Sequence, residues 1–298
     1  MKQPIILVVA IALISFGIYK HYQKSETRFE NAMQYRYATD YFIGENSMHR
    51  LKPILWVHTA SEVNARDWES FYSRNSTKLN QPFLYLTMKS ILDKNKDSFN
   101  VCLIDDDAFF RLIPNWQVKM DALPSPVKEH YRQFALTMVL YHYGGLLVPA
   151  STLCLEDLST LFKDGLAHKD AFVVDTFGPR FMGCKKQSDL VQQLMEFQGR
   201  LLKTDNTEQA DFTGAVAKAC AHLAQVDGGR VGTKKIDGTP LDLGELLGNN
   251  PLEVCPHAAA IYIPAEEILR RTKYAWFSRM HQDDLLRSDL TLAKYFIR

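Results

Sequence analysis

Residues 127–148, VKEHYRQFALTMVLYHYGGLLV, decide the fold class. Phe134, Met138 and Tyr141 recur at helical spacing with Ala135 and Val139 beside them, which predicts a helix over 127–143. Gly144-Gly145 ends it, because glycine enters the left-handed region that closes a helix without a Cβ clash. Leu146-Leu147-Val148 then reads as a buried strand. A long helix delivered straight into an apolar strand is the α-to-β half of an alternating α/β chain, and the remainder is sought on either side.

Upstream, Ile54 to His58 is a short apolar strand opened by Pro53, and Phe99 to Ile104 is a second that stops abruptly in Asp105-Asp106-Asp107. Between them Asp67 to Asn80 places Trp68, Phe71 and Tyr72 at helical spacing, and Pro82 to Leu92 reads as an amphipathic helix. Pro114, Pro124 and Pro126 break the link to the long helix. Downstream, Ala171 to Val174 is another strand, ending in Asp175. The pattern is helical from Asp189 to Leu202 and from Ala210 to Ala224, and Asp227-Gly228-Gly229 and Asp237-Gly238 mark turns. A last strand is expected over Ala259 to Pro264, followed by helices over Glu266 to Arg279 and Asp283 to Tyr295. No fixed period repeats and no low-complexity linker interrupts, so residues 51–298 read as one α/β domain.

The chain has 298 residues, 46% hydrophobic and 23% charged, the balance of a protein that buries a core. A formal net charge of +1, without a basic aromatic stripe, leaves no field to hold nucleic acid. The five cysteines, at 102, 154, 184, 220 and 255, show no zinc or redox spacing and read as small buried hydrophobes, and their odd number excludes complete intrachain pairing. From Ile5 to Ile18 the chain is uncharged and apolar, flanked by Lys2 and by Lys20, His21 and Lys24, with Tyr19 and Tyr22 placed for the interface. This reads as a transmembrane signal anchor over 1–22, followed by a juxtamembrane stalk over 23–50, and hence a single-pass protein of an endomembrane or virion membrane. Ser15 and Gly17 leave a cleaved signal peptide as the rival reading. Asn75-Ser76-Thr77 is a glycosylation sequon that matters only if the domain faces a lumen.

Phosphate-binding glycine loops, the nucleophile-elbow serine and the two-histidine zinc helix are all missing, which removes the main support for triphosphatases, dinucleotide oxidoreductases, serine hydrolases and zinc proteases. What remains are polar residues at strand ends. Asp105, Asp106 and Asp107 follow a strand at the edge where open α/β sheets bind ligands, so alternate carboxylates could hold a cation; equally, they read as a helix N-cap with acids in its first turn. Asp175 divides the same way, Asp227 reads as a turn residue, and His58 reads either as a nucleotide contact or as a satisfied loop histidine. Arg270, Arg271 and Lys273, beside Tyr274, Trp276 and Phe277, read as a phosphate contact or as the polar edge of a packed helix.

The segment Tyr131 to Leu158, YRQFALTMVLYHYGGLLVPASTLCLEDL, resembles the centre of the family 32 glycosyltransferases, sugar transferases of the GT-A fold, in which a helix ending in L-Y-x-Y-G-G leads through a strand to a D-x-D metal motif. Pro53 to Trp56 resembles that family's first strand, and Phe99 to Asp106 its second, so the likeness covers roughly residues 50–190. It implies an α/β fold with a GT-A-like open mixed sheet flanked by helices, a nucleotide-sugar donor, a glycan acceptor, and Mn²⁺ or Mg²⁺ held by carboxylates. In that register the D-x-D positions fall on Pro149, Ala150 and Ser151, Gln133 stands for an aspartate that faces the nucleotide, and Leu136 for an arginine. The family's chemistry would then need Asp105 and Asp107 as metal ligands and Asp106 and Asp175 as catalytic groups. Trp56, His58, Gly144, Gly145 and Ser151 would line the donor, and Arg132, a turn before Leu136, would replace the lost cation. The C-terminal third, with 181–186 and 271–277, resembles uncharacterised membrane proteins of large DNA viruses of algae and protists, which implies virion proteins as partners. Two functions follow: a degenerate transferase scaffold kept as a binding or structural module, and an active transferase using Asp105 to Asp107.

Overall fold

A computed structural model describes residues 52–59, 81–175, 177–204 and 209–297. The expected anchor, stalk, helix over 67–80 and sequon lie outside the described residues. No helix among the described residues is long and apolar enough to cross a membrane.

In chain order, β1 (Ile54–His58) leads to α1 (Phe83–Asn95) and β2 (Asn100–Ile104), then to α2 (Phe109–Leu112) and the long α3 (Val127–Tyr143). Next come β3 (Gly145–Pro149), β4 (Thr152–Cys154), α4 (Ser159–Gly165), β5 (Ala171–Val174) and β6 (Gly178–Cys184). They are followed by α5 (Asp189–Lys203), α6 (Gln209–Ala219), β7 (Ala224–Val226) and α7 (Leu243–Leu246). The chain continues through β8 (Ala260–Tyr262), α8 (Ala265–Arg270), α9 (Ala275–Arg279), α10 (Gln282–Arg287) and α11 (Thr291–Phe296).

Six strands form a mixed sheet in the order β2-β1-β3-β6-β5-β7, in which only β6 runs against its neighbours. Alternate residues define one face: Leu55 and Val57, Leu146 and Val148, and Phe172 and Val174 enter a single apolar cluster with Ile91, Phe99 and Leu161. Helices α3, α5 and α6 pack together, and α3 and α6 contact β6. Parallel pairing demands burial of both faces, and this explains why the strands read as unbroken apolar runs.

The helix-to-strand junction foreseen in the sequence depends on Gly145. Its φ is +106°, and a Cβ there would stand 2.2 Å from the carbonyl oxygen of Ile54 on the neighbouring strand. A side chain would therefore force β1 and β3 apart. Trp56, wholly buried in β1, secures the same corner by donating from Nε1 to the Gly144 carbonyl at 2.9 Å.

Several elements depart from the sequence reading. The helix expected to reach Ala224 stops at Ala219, and residues 224–226 supply an edge strand instead. The strand expected over Ala259 to Pro264 shortens to β8 and leaves the main sheet, pairing antiparallel with β4 in a two-stranded ribbon. The helix expected over Glu266 to Arg279 breaks at Arg271, whose backbone is extended. Ile268 and Phe277 are both fully buried, yet nine positions apart they would face about 180° away from each other on one continuous helix. Breaking the helix lets both join a second core with Phe83, Leu153, Ile261 and Leu292.

Candidate functional site

Strands β1, β2, β3, β5 and β7 share one direction, so His58, Asp105 to Asp107, Pro149 to Ser151, Asp175 and Asp227 all follow strand ends along one edge of the sheet. The N-terminal turns of α3 bring Glu129 and Arg132 to the same edge, since α3 runs back along β3. The fold therefore brings these sequence candidates to one edge. Its residues separate there into two charge clusters.

The first is built on Asp106. Arg132 donates from Nε to Oδ1 at 2.8 Å and from Nη2 to Oδ2 at 2.7 Å, while His58 Nε2 lies 2.9 Å from Oδ1. Arg132 also donates from Nη1 to Glu129 at 2.6 Å, and the His58 ring stacks on Phe109 at 5.6 Å between centroids. The Asp106 and Arg132 side chains are only 7% and 8% exposed. Burial on its own raises the Asp106 carboxyl, but hydrogen bonds and charge from Arg132 and His58 outweigh it and hold the group ionised well below the carboxylate range. Burial likewise lowers Arg132, and its bonds to Asp106 and Glu129 reverse that and raise it. The result is a closed network with each charge answered, a geometry that fixes α3 against β1 and β2.

The second cluster joins β5 to β7. Asp175 accepts from the Gly228 amide at 2.6 Å and from Lys234, whose ammonium also reaches Asp227 at 3.0 Å. Asp227 caps its turn through the Gly229 amide, the role expected of it. Hydrogen bonds to the two aspartates raise Lys234 above the usual ammonium range. Asp175 is thus committed to a turn and an ion pair.

The proposed metal ligands do not converge. Asp105 Oδ1 accepts from the Ala108 amide at 2.9 Å as the cap of a short turn, Asp106 is held by Arg132, and Asp107 faces solvent. Among the described residues no group of three or more His, Cys, Asp or Glu side chains could hold a metal ion. Held in these ways, Asp105, Asp106 and Asp107 do not together offer the several oxygen ligands that Mn²⁺ or Mg²⁺, a hard cation, needs.

The other donor-site expectations meet physical obstacles. Gly144 and Gly145 lie at the opposite end of β3 from the strand-end residues, packed against backbone. Trp56 has no exposed surface. Arg132 spends its cation on two carboxylates rather than holding it for a phosphate. Ser151 is 5% exposed. The carbonyl of Ala150 accepts from Thr87 Oγ1 at 2.6 Å, and that of Ser151 accepts from the Ile263 amide at 3.0 Å. Where the resemblance puts D-x-D, Ser151 is buried and two carbonyls are taken, while Pro149 and Ala150 are half-buried.

Glu129, Phe109 and Lys234 escaped the sequence reading. Glu129 carried a signal, its three-residue spacing from Arg132 on a helix. Lys234 carried none, because only tertiary structure brings it 59 positions back to Asp175. A cavity of about 380 Å³ opens instead among Lys94, Cys154, Glu156, Leu252, Cys255 and Tyr295, and no candidate residue lines it. Four cysteines are buried, as expected, and burial pushes the Cys102, Cys154, Cys184 and Cys220 thiols up to about 12. The sequence matches no family model, and neither the curated proteins nor the solved structures contain a match to this chain.

Proposed function

We propose that this protein is a membrane-anchored, GT-A-like sugar-transferase scaffold whose donor site is degenerate, retained as a binding or structural module at a membrane. An open mixed sheet flanked by helices supports the scaffold reading, as does the succession of long helix, double glycine, central strand and loop. The observation that carries the degenerate reading is the loop Pro149–Ser151: no carboxylates, Ser151 buried, and the carbonyls of Ala150 and Ser151 occupied by Thr87 and Ile263. A nucleotide-sugar donor leaves as a diphosphate, which requires concentrated positive charge. Arg132, facing both Asp106 and Glu129, offers no excess. A fold outlasts its chemistry when its packing still serves. The resemblance of the C-terminal third to viral membrane proteins extends the proposal to a virion membrane, with other virion proteins as neighbours.

The test is Mn²⁺- and Mg²⁺-dependent binding and hydrolysis of UDP- and GDP-sugars by the full chain in detergent. The expected result is neither saturable binding nor turnover. Saturable, metal-dependent turnover would establish the active alternative.

A further inference from the structure

We propose that the surface formed by α8, the turn Thr272–Tyr274 and α9 is a lipid-contacting face that seats on an anionic bilayer. Over residues 265–279 this surface carries Arg270, Arg271, Lys273 and Arg279 against Glu266 and Glu267 in the first turn of α8, and no acid lies between Glu267 and Asp283. All four cations are exposed. Arg271 is paired with Glu267 at 2.8 Å, and Lys273 lies 5.3 Å from the Tyr274 ring, while among the described residues Arg270 and Arg279 have no ion-pair partner.

The packing forces apolar groups into this basic surface. Ile268, Tyr274 and Phe277 fill the second core, and the break at Arg271 that lets them do so turns Leu269 and Trp276 outward, 36% and 44% exposed. A tryptophan and a leucine set among cations are the groups that settle at a bilayer interface, the indole at headgroup depth and the cations on lipid phosphates. Charge complementarity selects anionic lipid, and a net charge of only +1 over the chain makes this local concentration the source of the attraction. The inference rests on the membrane part of the proposed function, since residues 5–18 would bring the domain to a bilayer, but it assigns a second, separate contact.

The test mixes the full chain with vesicles of phosphatidylcholine alone, or of phosphatidylcholine with phosphatidylserine, carrying brominated acyl chains that quench nearby indoles. Trp56 and Trp116 are buried, and Trp68 is common to both proteins, so the difference between wild type and Trp276→Phe isolates Trp276. Quenching beyond that of Trp276→Phe is expected in anionic vesicles. Substituting Arg270, Lys273 and Arg279 together by Gln should weaken it by about tenfold or more in lipid titration, with unchanged denaturation midpoints. Equal quenching in neutral lipid, no loss in Trp276→Phe, or a triple variant quenched like wild type overturns the face. Flotation separates the two claims. A chain that floats with neutral vesicles while Trp276 stays unquenched in anionic ones keeps the anchor and loses the face. One that floats only with anionic vesicles, and not as the triple variant, keeps the face and loses the anchor.

Discussion

Arg132 grips Asp106 through two parallel hydrogen bonds, Nε to Oδ1 and Nη2 to Oδ2, across 26 positions of sequence. Two charges buried together stabilise little on balance, because desolvation cancels most of their attraction; removing one leaves the other stranded. Asp106→Ala is therefore expected to cost about 3–5 kcal/mol, whereas Asp106→Leu with Arg132→Met should fold about as stably as wild type. Urea denaturation of the three proteins measures both. Asp106 is held below its ordinary value, so the stability it contributes is present above the unfolded carboxylate's 3.8 and lost as pH falls below it.

His130, on α3, is 2% exposed, stacks on Phe212 at 4.3 Å, and has no hydrogen-bond partner among the described residues on either ring nitrogen. Burial lowers its pKa below 6.5, opposed in part by the Glu129 charge. The unfolded chain takes up a proton there before the folded one does, so stability is full above 6.5 and declines as the pH falls beneath it. Thermal midpoints measured from pH 8 to pH 5 should fall, and His130→Phe should flatten that decline. His142, also lowered by burial, supplies a residual slope of the same sign.

Two glycine-to-alanine exchanges should move in opposite directions. At Gly145 the new Cβ meets the Ile54 carbonyl at positive φ, so the strand pair separates and soluble expression is lost. At Gly214, exposed inside α6 with open space around its Cα, alanine should add about 0.5–1 kcal/mol by stiffening the unfolded chain. Denaturation midpoints report the second, and yield of folded protein the first.

Restoring the acids of the resembled motif, Pro149→Asp with Ser151→Asp, should not restore metal binding. An aspartate at 151 enters a buried site in which the Ala150 and Ser151 carbonyls are already taken by Thr87 and Ile263. The expected outcome is a midpoint lower by a few kcal/mol-equivalents of stability, roughly 1–3, with no saturable Mn²⁺ signal in calorimetry.

Much of the architecture was visible in the residues. β1, β5 and α3 have the boundaries their apolar patterns predict, and α1, β2 and β3 differ by a few residues at most. The hidden strands have specific causes. β6, sequence GPRFMGC, contains the glycine and proline that argue against a strand, yet Gly183 is required because the Phe172 ring lies where its Cβ would be. β4 and β7 have three residues each, too short for any period to show. For the site, strand ends revealed the edge, while the pairings of Asp106 with Arg132 and of Asp175 with Lys234 depend on folding across long separations. Trp56 looked like a ligand contact because its type is informative and its burial is not.

The ribbon of β4 and β8 binds Leu153 to Ile261, roughly a hundred residues later in synthesis. The loop that precedes β4 thus acquires its Ile263 amide donor only after residue 263 has left the ribosome. Non-local closure of this kind slows folding, so nascent chains ending before residue 260 should persist as chaperone clients and yield to protease where full-length chains resist.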